Sequence, residues 1–271
     1  MEARQIFTVA AKEFRDRLRN RWVLAVALVF AVFSVVIAYA GGAQQGAVGM
    51  RSLEFIITSL VSLVIYLVPL IALLLGFDAI VGERERGSLD LLLALPITRG
   101  ELLLGKYLGL AAALALAMLG GLALVGVLLW RQFGSAAAFH YGGFMFSALL
   151  LGMAFLSLAV ALSVLARDRT RASGLAIAIW FFFVLVFDLL LLGALVATGG
   201  QYGGEIFPYL LLLNPADVFR ILNVFSLDDM RRLYGLTSLL PPALASPWLM
   251  GAVMAGWIVL PLGLASWRFK P

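Results

Sequence analysis

Six long apolar stretches, Trp22–Ala40, Leu53–Phe77, Tyr107–Trp130, Gly143–Leu165, Gly174–Ala197 and Trp248–Trp267, leave this chain almost no choice of solvent. Each is close to the roughly 20 residues a helix needs to cross the hydrocarbon of a bilayer. With 63% hydrophobic and 13% charged residues in a chain of 271, no sizeable water-soluble domain remains once the six are assigned. The fold class that follows is an all-α membrane protein, one transmembrane domain of six helices spanning 1–271. Lipid supplies no hydrogen-bond partners, so Pro69 and Pro261, which fall inside spans, are expected as kinks whose freed carbonyls neighbouring helices satisfy. Trp22, Trp130, Trp248 and Trp267 stand at span ends, where the amphipathic indole suits the headgroup boundary.

Residues 2–20 precede the first span and read as an amphipathic helix. Ala3, Phe7, Ala10, Ala11, Phe14 and Leu18 recur on one face, Arg4, Lys12, Arg15 and Arg19 on another. Too charged to span and lacking a cleavage pattern, this helix is expected to lie along the interface and contact membrane lipid. Positive charge then orients the chain. Arg4, Lys12, Arg15, Arg17, Arg19, Arg21, Arg84, Arg86, Arg99, Lys106, Arg167, Arg169, Arg171, Arg268 and Lys270 fall on one side, against Arg51, Arg131, Arg220, Arg231 and Arg232 on the other. The positive-inside rule puts both termini and the 78–106 connector in the cytoplasm. The net charge of +5 is thereby explained by topology, without nucleic acid.

The 78–106 connector is the most heavily punctuated segment. Gly87 suits a left-handed position closing an extension of the second span. Ser88 offers an N-cap to a short helix, Leu89–Leu95, with Leu89, Leu92 and Leu93 on one face. Pro96 disfavours its continuation. Thr98 and Glu101, three apart, form a capping box that starts the helix leading through Lys106 into the third span. Those leucines either pack beneath the chain's own spans or fill a groove in a partner protein. Gly100–Lys106 is a near miss to a phosphate-binding loop, but Tyr107 stands where Mg²⁺ needs Ser or Thr and no strand precedes it, so no nucleotide site is expected.

The run Glu83-Arg-Glu-Arg-Gly-Ser-Leu-Asp-Leu-Leu-Leu-Ala-Leu-Pro-Ile-Thr-Arg-Gly-Glu-Leu-Leu-Leu-Gly-Lys106 resembles the signature of ABC-2 type transporter permeases. The resemblance implies a type V exporter-like permease, a non-catalytic homodimer core on which two separate cytoplasmic ATP-binding subunits dock. Glu83, Glu85, Gly87, Leu89, Leu92, Pro96, Arg99 and Lys106 become its ATPase-coupling residues. It implies no cofactor bound by this chain, ATP and Mg²⁺ being held by the partner. The Trp180–Asp188 and Leu213–Arg220 runs further resemble the branch of that family serving nitrous oxide reductase maturation. That implies a periplasmic solenoid partner and a service to copper–sulfur cluster assembly. Export of a lipid, polysaccharide or drug is the alternative within the family; a self-contained channel or an intramembrane enzyme is the alternative outside it.

Three groups outside the connector invite chemistry. Asp188 stands within the fifth span, where a charge requires a partner: a structural bond to Arg220 or Tyr202, or a role in cargo passage or switching. Asn214, Asp217 and Arg220, in the segment 198–247, can cap and pair locally or contact a periplasmic partner. The segment itself is expected as short helices on or dipping into the outer leaflet, since a structureless loop that long is unusual. Met250 with Met254 and Met145 with Met153 share faces and could suit Cu(I). Methionine is equally ordinary helix filler, and no metal site is expected. The absence of cysteine excludes disulfides and thiolate chemistry, and the single His140 leaves little for a catalytic triad.

Overall fold

The computed structural model describes residues 2–19, 21–40, 53–199, 207–224 and 246–269. Arg51, Tyr202, Ile206, the Ser226–Arg232 step, Pro241-Pro242 and Lys270 lie outside them. No strand occurs among the described residues, and five helical stretches are long and apolar enough to cross a membrane. The helices are α1 (Ala3–Arg19), α2 (Trp22–Ala40), α3 (Leu53–Gly76), α4 (Val81–Glu85), α5 (Ser88–Leu93), α6 (Arg99–Leu165), α7 (Arg169–Phe181), α8 (Phe187–Ala197), α9 (Phe207–Leu210), α10 (Pro215–Val224) and α11 (Pro247–Arg268). A π-helical segment, Phe182–Val186, joins α7 to α8, and a 3₁₀ turn, Leu211–Leu213, joins α9 to Asn214.

At 67 residues α6 would extend about 100 Å, three times the ~30 Å of bilayer hydrocarbon. It folds back instead. Gly134 has φ 83° and ψ −169°, a region essentially closed to residues with a Cβ, and there the helix reverses. The two limbs lie antiparallel. The Tyr107 hydroxyl donates to the Met153 carbonyl at 3.1 Å, and that of Tyr141 to the Leu122 carbonyl at 3.0 Å.

This hairpin is the core against which α1, α2, α3 and α11 all pack. Its buried side chains, Leu110, Leu114, Met118 and Leu122 on the first limb and Leu151, Phe155 and Val160 on the second, have no lipid contact. Met250 and Met254 of α11 are buried in the same core, while Met145 and Met153 are packed against it. α3 and α11 run helically through Pro69 and Pro261, both buried.

α1 divides its surface in three rather than two. Ile6, Val9, Ala10 and Glu13 meet the start of α6, where Cβ atoms on Gly105 and Gly109 would fall 2.6 Å from the Val9 Cβ and 2.5 Å from the Ala10 carbonyl. Of the expected apolar face, Ala3, Phe7, Ala11 and Leu18 are exposed, Phe7 at 67%. Arg4, Lys12, Arg15 and Arg19 form a third, solvated side. Shape decides which stripe touches protein: two glycines one turn apart on α6 admit the backbone of α1 itself.

Candidate functional site

The connector between α3 and α6 is built by local chemistry at each step. α3 ends at Gly76, and the turn that follows leaves the Ile80 and Val81 amides to donate to the Ser163 hydroxyl at 2.9 and 3.0 Å. After α4, Gly87 takes the left-handed conformation, φ 71°. Gly87 itself occupies the N-cap position of α5, so Ser88 is not the cap. Its hydroxyl donates instead to the Glu83 carbonyl and carboxylate. The Thr98–Glu101 capping box is complete, and Glu101 also accepts from the Glu2 amide of α1. α5 begins one residue earlier than Leu89–Leu95 and ends two residues sooner, at Leu93, with Pro96 following closely.

The leucines of α5 separate by face. Leu89 is buried and Leu92 and Leu93 are partly buried against the bundle. Leu91 points outward at 73% exposure, with Leu95 and Asp90 beside it. Leu91 was missing from the expected coupling set because the helical pattern groups Leu89, Leu92 and Leu93; only the packed bundle distinguishes the inward stripe from the outward one. Pro96 is exposed, and the Arg99 guanidinium lies 5.4 Å from the Phe269 ring centroid, a cation–π contact to the C-terminal end.

Lys106 is the hub. Its ammonium lies 2.9 Å from Glu13 Oε2 and 3.1 Å from Glu83 Oε1, and its side chain is 5% exposed. Arg17 adds a second cation on Glu13 at 3.2 Å. One lysine thus joins α1, α4 and α6. Glu13 was not among the expected residues, and its signal was a carboxylate with a cation, Arg17, four positions on. Burial alone would raise the Glu83 carboxyl; the Ser88 hydroxyl and the Lys106 charge outweigh it and hold it below the ordinary range. A depressed carboxyl contributes stability above its unfolded value, about 4.3, and loses it as pH falls through the folded value. Spin labels on α1 and α5 are therefore expected to keep a constant separation from pH 8 to about 5 and to spread only below ~4.

A second clamp holds α4 to the start of α7. Arg84 donates to the Ala166 and Val164 carbonyls at 2.9 and 3.3 Å. Glu85 accepts from the Arg169 amide at 2.7 Å, and the Arg169 side chain reaches Asp78 at 2.7 Å. Cβ atoms are unwelcome there too, since one on Gly82 would meet the Asp78 carboxylate at 2.1 Å.

Deep in the bundle, α10 does not rest on the surface. Asn214, Asp217, Val218 and Phe219 are all buried against α3, α6 and α11. Asn214 caps α10 through its Oδ1, which accepts from the Ala216 amide at 3.0 Å, while its Nδ2 donates to the Phe183 carbonyl and to Asp217, both at 2.9 Å. The π-helical segment is where that carbonyl becomes available. Arg220 then donates to Asp217 at 2.6 Å and to Asp188 at 3.2 Å, giving Asp188 the structural bond expected of it. The Ser147 hydroxyl donates to Asn223 at 3.0 Å, and the Trp257 indole to the Leu212 carbonyl at 3.0 Å. His140 sits outside this set, its ring edge-on to Phe139.

A membrane-embedded, multi-pass bundle, without strands among its described residues, carries a capped, charge-locked connector at one end, the build of a permease-type protein. The chain belongs to the ABC-2 family of transporters: the model for "ABC-2 family transporter protein" matches residues 7–271. It is 46% identical over 272 residues to a protein of Pseudomonas aeruginosa named probable ABC transporter permease protein NosY, covering 98% of both chains. A protein of the same name from Stutzerimonas stutzeri is 46% identical over 273 residues, with the same coverage.

Proposed function

We propose that this chain is the transmembrane subunit of an ATP-driven ABC-2 transporter, a homodimer of six-span subunits that carries two ATP-binding subunits on its 78–106 connectors. Counting the two limbs of α6 separately supports six spans. Positive charge concentrates at the connector end, so that end and both termini are cytoplasmic. ATP and Mg²⁺ reside in the partner, which performs the hydrolysis. Its closure pulls the two α5 helices together, and the separate contacts of Lys106, Arg84 and Arg169 pass that displacement to α1, α6 and α7. The bundle moves a cargo or works mechanically on a periplasmic solenoid protein through the far end of the membrane domain, where Asn214, Asp217 and Arg220 fix α10. The likeness to the two NosY proteins supports service to copper–sulfur cluster assembly of nitrous oxide reductase.

The outward side of α5 carries this reading: Leu91 on the helix and Leu95 just beyond its end are large, apolar and exposed, in a segment too short to enter lipid. Filling a groove with one such leucine contributes about 1.5–3 kcal/mol. Leu91→Asp is therefore expected to weaken co-purification of the ATPase at least about tenfold while leaving membrane insertion and thermal stability unchanged. Retention of the full complex by a correctly inserted Leu91→Asp variant would show that the ATPase does not dock here.

A further inference from the structure

α11 and the helix that contains α7 meet deep in the bundle and part toward the connector end. Where they meet, the Trp257 ring stands edge-on to that of Phe183, 5.6 Å away, and Phe183 is 6.0 Å from Phe155 on the second limb of α6. Pro261 has no N–H to offer the Trp257 carbonyl four residues before it, and the Ser157 hydroxyl of α6 donates there instead at 3.0 Å. From this seal an apolar groove of about 300 Å³ runs between α7 and α11. Leu158, Ala161 and Leu165 of α6 form its floor, and Ile179 of α7 with Leu260 and Leu264 of α11 form its walls. The groove is open along its side, where Leu260 is 74% exposed and Leu264 46%.

Both walls change chemistry at the mouth. On α11 the stripe of Leu260 and Leu264 continues one turn on to Arg268, and on α7 the stripe of Ile179 and Leu175 continues to Arg171. Arg167 stands in the link between α6 and α7, and all three arginines are exposed. Among the described residues Asp168 bonds Arg171 at 3.2 Å, while neither Arg167 nor Arg268 meets a carboxylate. The lip is therefore cationic. Ile179 lies about 12 Å along α7 from Arg171, close to half of the ~30 Å of bilayer hydrocarbon, so the groove spans one leaflet. Over that length its volume gives a cross-section of roughly 25 Å², the width of a single hydrocarbon chain, whereas a helix about 10–12 Å across takes at least about three times as much.

We propose that this groove binds one anionic phospholipid from the leaflet at the connector end, its acyl chain laid on α6 between α7 and α11 and its phosphate held by Arg167 and Arg268. An apolar groove alone would take any chain, and cations alone would take any anion. Apolar stripes that run into arginines fit a molecule that joins the two. A zwitterionic head group brings its own cation to the arginines, so a net negative one is favoured. The lipid stands between α11 and the start of α7, the part whose Arg169 amide is held by Glu85 of α4.

The test is native mass spectrometry of the full-length chain, purified with its partner subunits and held in nanodiscs of equal parts phosphatidylglycerol and phosphatidylcholine. Each copy of the chain is expected to retain one phosphatidylglycerol. Arg167→Gln combined with Arg268→Gln changes only exposed side chains, and it is expected to cut the preference for phosphatidylglycerol at least about tenfold. Ala161→Phe, which fills the floor, is expected to lose the lipid of either kind, while Leu28→Phe on the lipid-facing side of α2 keeps it. No lipid retained by the unsubstituted chain, equal retention of the two lipids by it, or retention unchanged in either variant overturns the site. Thermal unfolding shows whether Ala161→Phe is folded; if it is not, the arginine variant decides alone. The sequence has no cysteine, so Leu264→Cys reports without background. Disulfide-linked dimers through Leu264→Cys would put a second copy in the groove and overturn the lipid assignment; a free thiol there accords with it.

Discussion

Lys106→Met is expected to cause one of the two largest losses in this molecule. The substitution keeps the length and apolar stem of the side chain but strands Glu13 and Glu83, both largely buried, opposite an empty charge position. Removing one partner of a buried ion pair costs about 3–5 kcal/mol, since the remaining charge keeps its desolvation penalty and loses its compensation. Arg17 softens this for Glu13, which it contacts at 3.2 Å; Glu83 has only the longer contact to Arg86, 3.8 Å, as a second ion pair. The purified protein should melt markedly earlier in detergent, and α1 should become accessible to protease. The triple variant Lys106→Met, Glu13→Gln, Glu83→Gln removes all three charges. Its stability should largely return, because a neutral core of similar volume is often no worse than a buried pair. ATP-driven function should not return, because the charge lock that joins α4 of the connector to α1 and α6 is gone. Recovery of transport-coupled ATP hydrolysis by the triple variant would show that Lys106 holds the fold and transmits nothing.

Arg220 and Asp188 should behave unequally although they are partners. Arg220→Ala leaves Asp217, 2% exposed, with the Asn214 amide and the neighbouring Asp188 carboxyl, and takes the cation from both acids in the membrane interior. The expected cost is again about 3–5 kcal/mol, concentrated at the contact of α10 with the π-helical segment. Hydrogen exchange of the Pro215–Val224 amides should rise while α1 and α2 are unaffected. Asp188→Asn should cost under about 1 kcal/mol, because Asp188 is the more exposed carboxylate, Arg220 keeps its 2.6 Å bond to Asp217, and an amide oxygen can still accept. Equal effects of the two substitutions would mean that the Asp188 bond, not the Asp217 bond, secures α10.

The elements most legible in advance are those fixed by neighbours in sequence. The Thr98–Glu101 box needs only residues three apart, and Gly87 declares its left-handed backbone by having no side chain to oppose it. The pairing of Asp217 with Arg220 follows from one helical turn. The π-helical segment at Phe182–Val186 could not be read the same way. Its sequence, Phe-Phe-Val-Leu-Val, suits an ordinary apolar helix, and the widened turn is matched by an Asn214 side chain 31 positions away. Ser163 gave no sign of its task for the same reason, since an isolated hydroxyl in an apolar span usually bonds its own backbone, as Ser34 does with the Phe30 carbonyl.

By itself the sequence determined that this protein is a stack of apolar helices in a membrane, that a capping box at Thr98 starts one of them, and which connector is densest in polar turn chemistry. Hydrophobicity and capping are local, so they survive without a fold. Tertiary structure decided the rest: that Leu89 turns in and Leu91 out, that Glu13 and Lys106 meet across 93 positions, that Gly134 folds one 67-residue run into two limbs, and that α10 is buried rather than laid on the surface. Each of these depends on which helix faces are already occupied when a side chain arrives. In lipid, where the apolar surface of every helix is equally welcome outside, shape and polar pairing choose those faces.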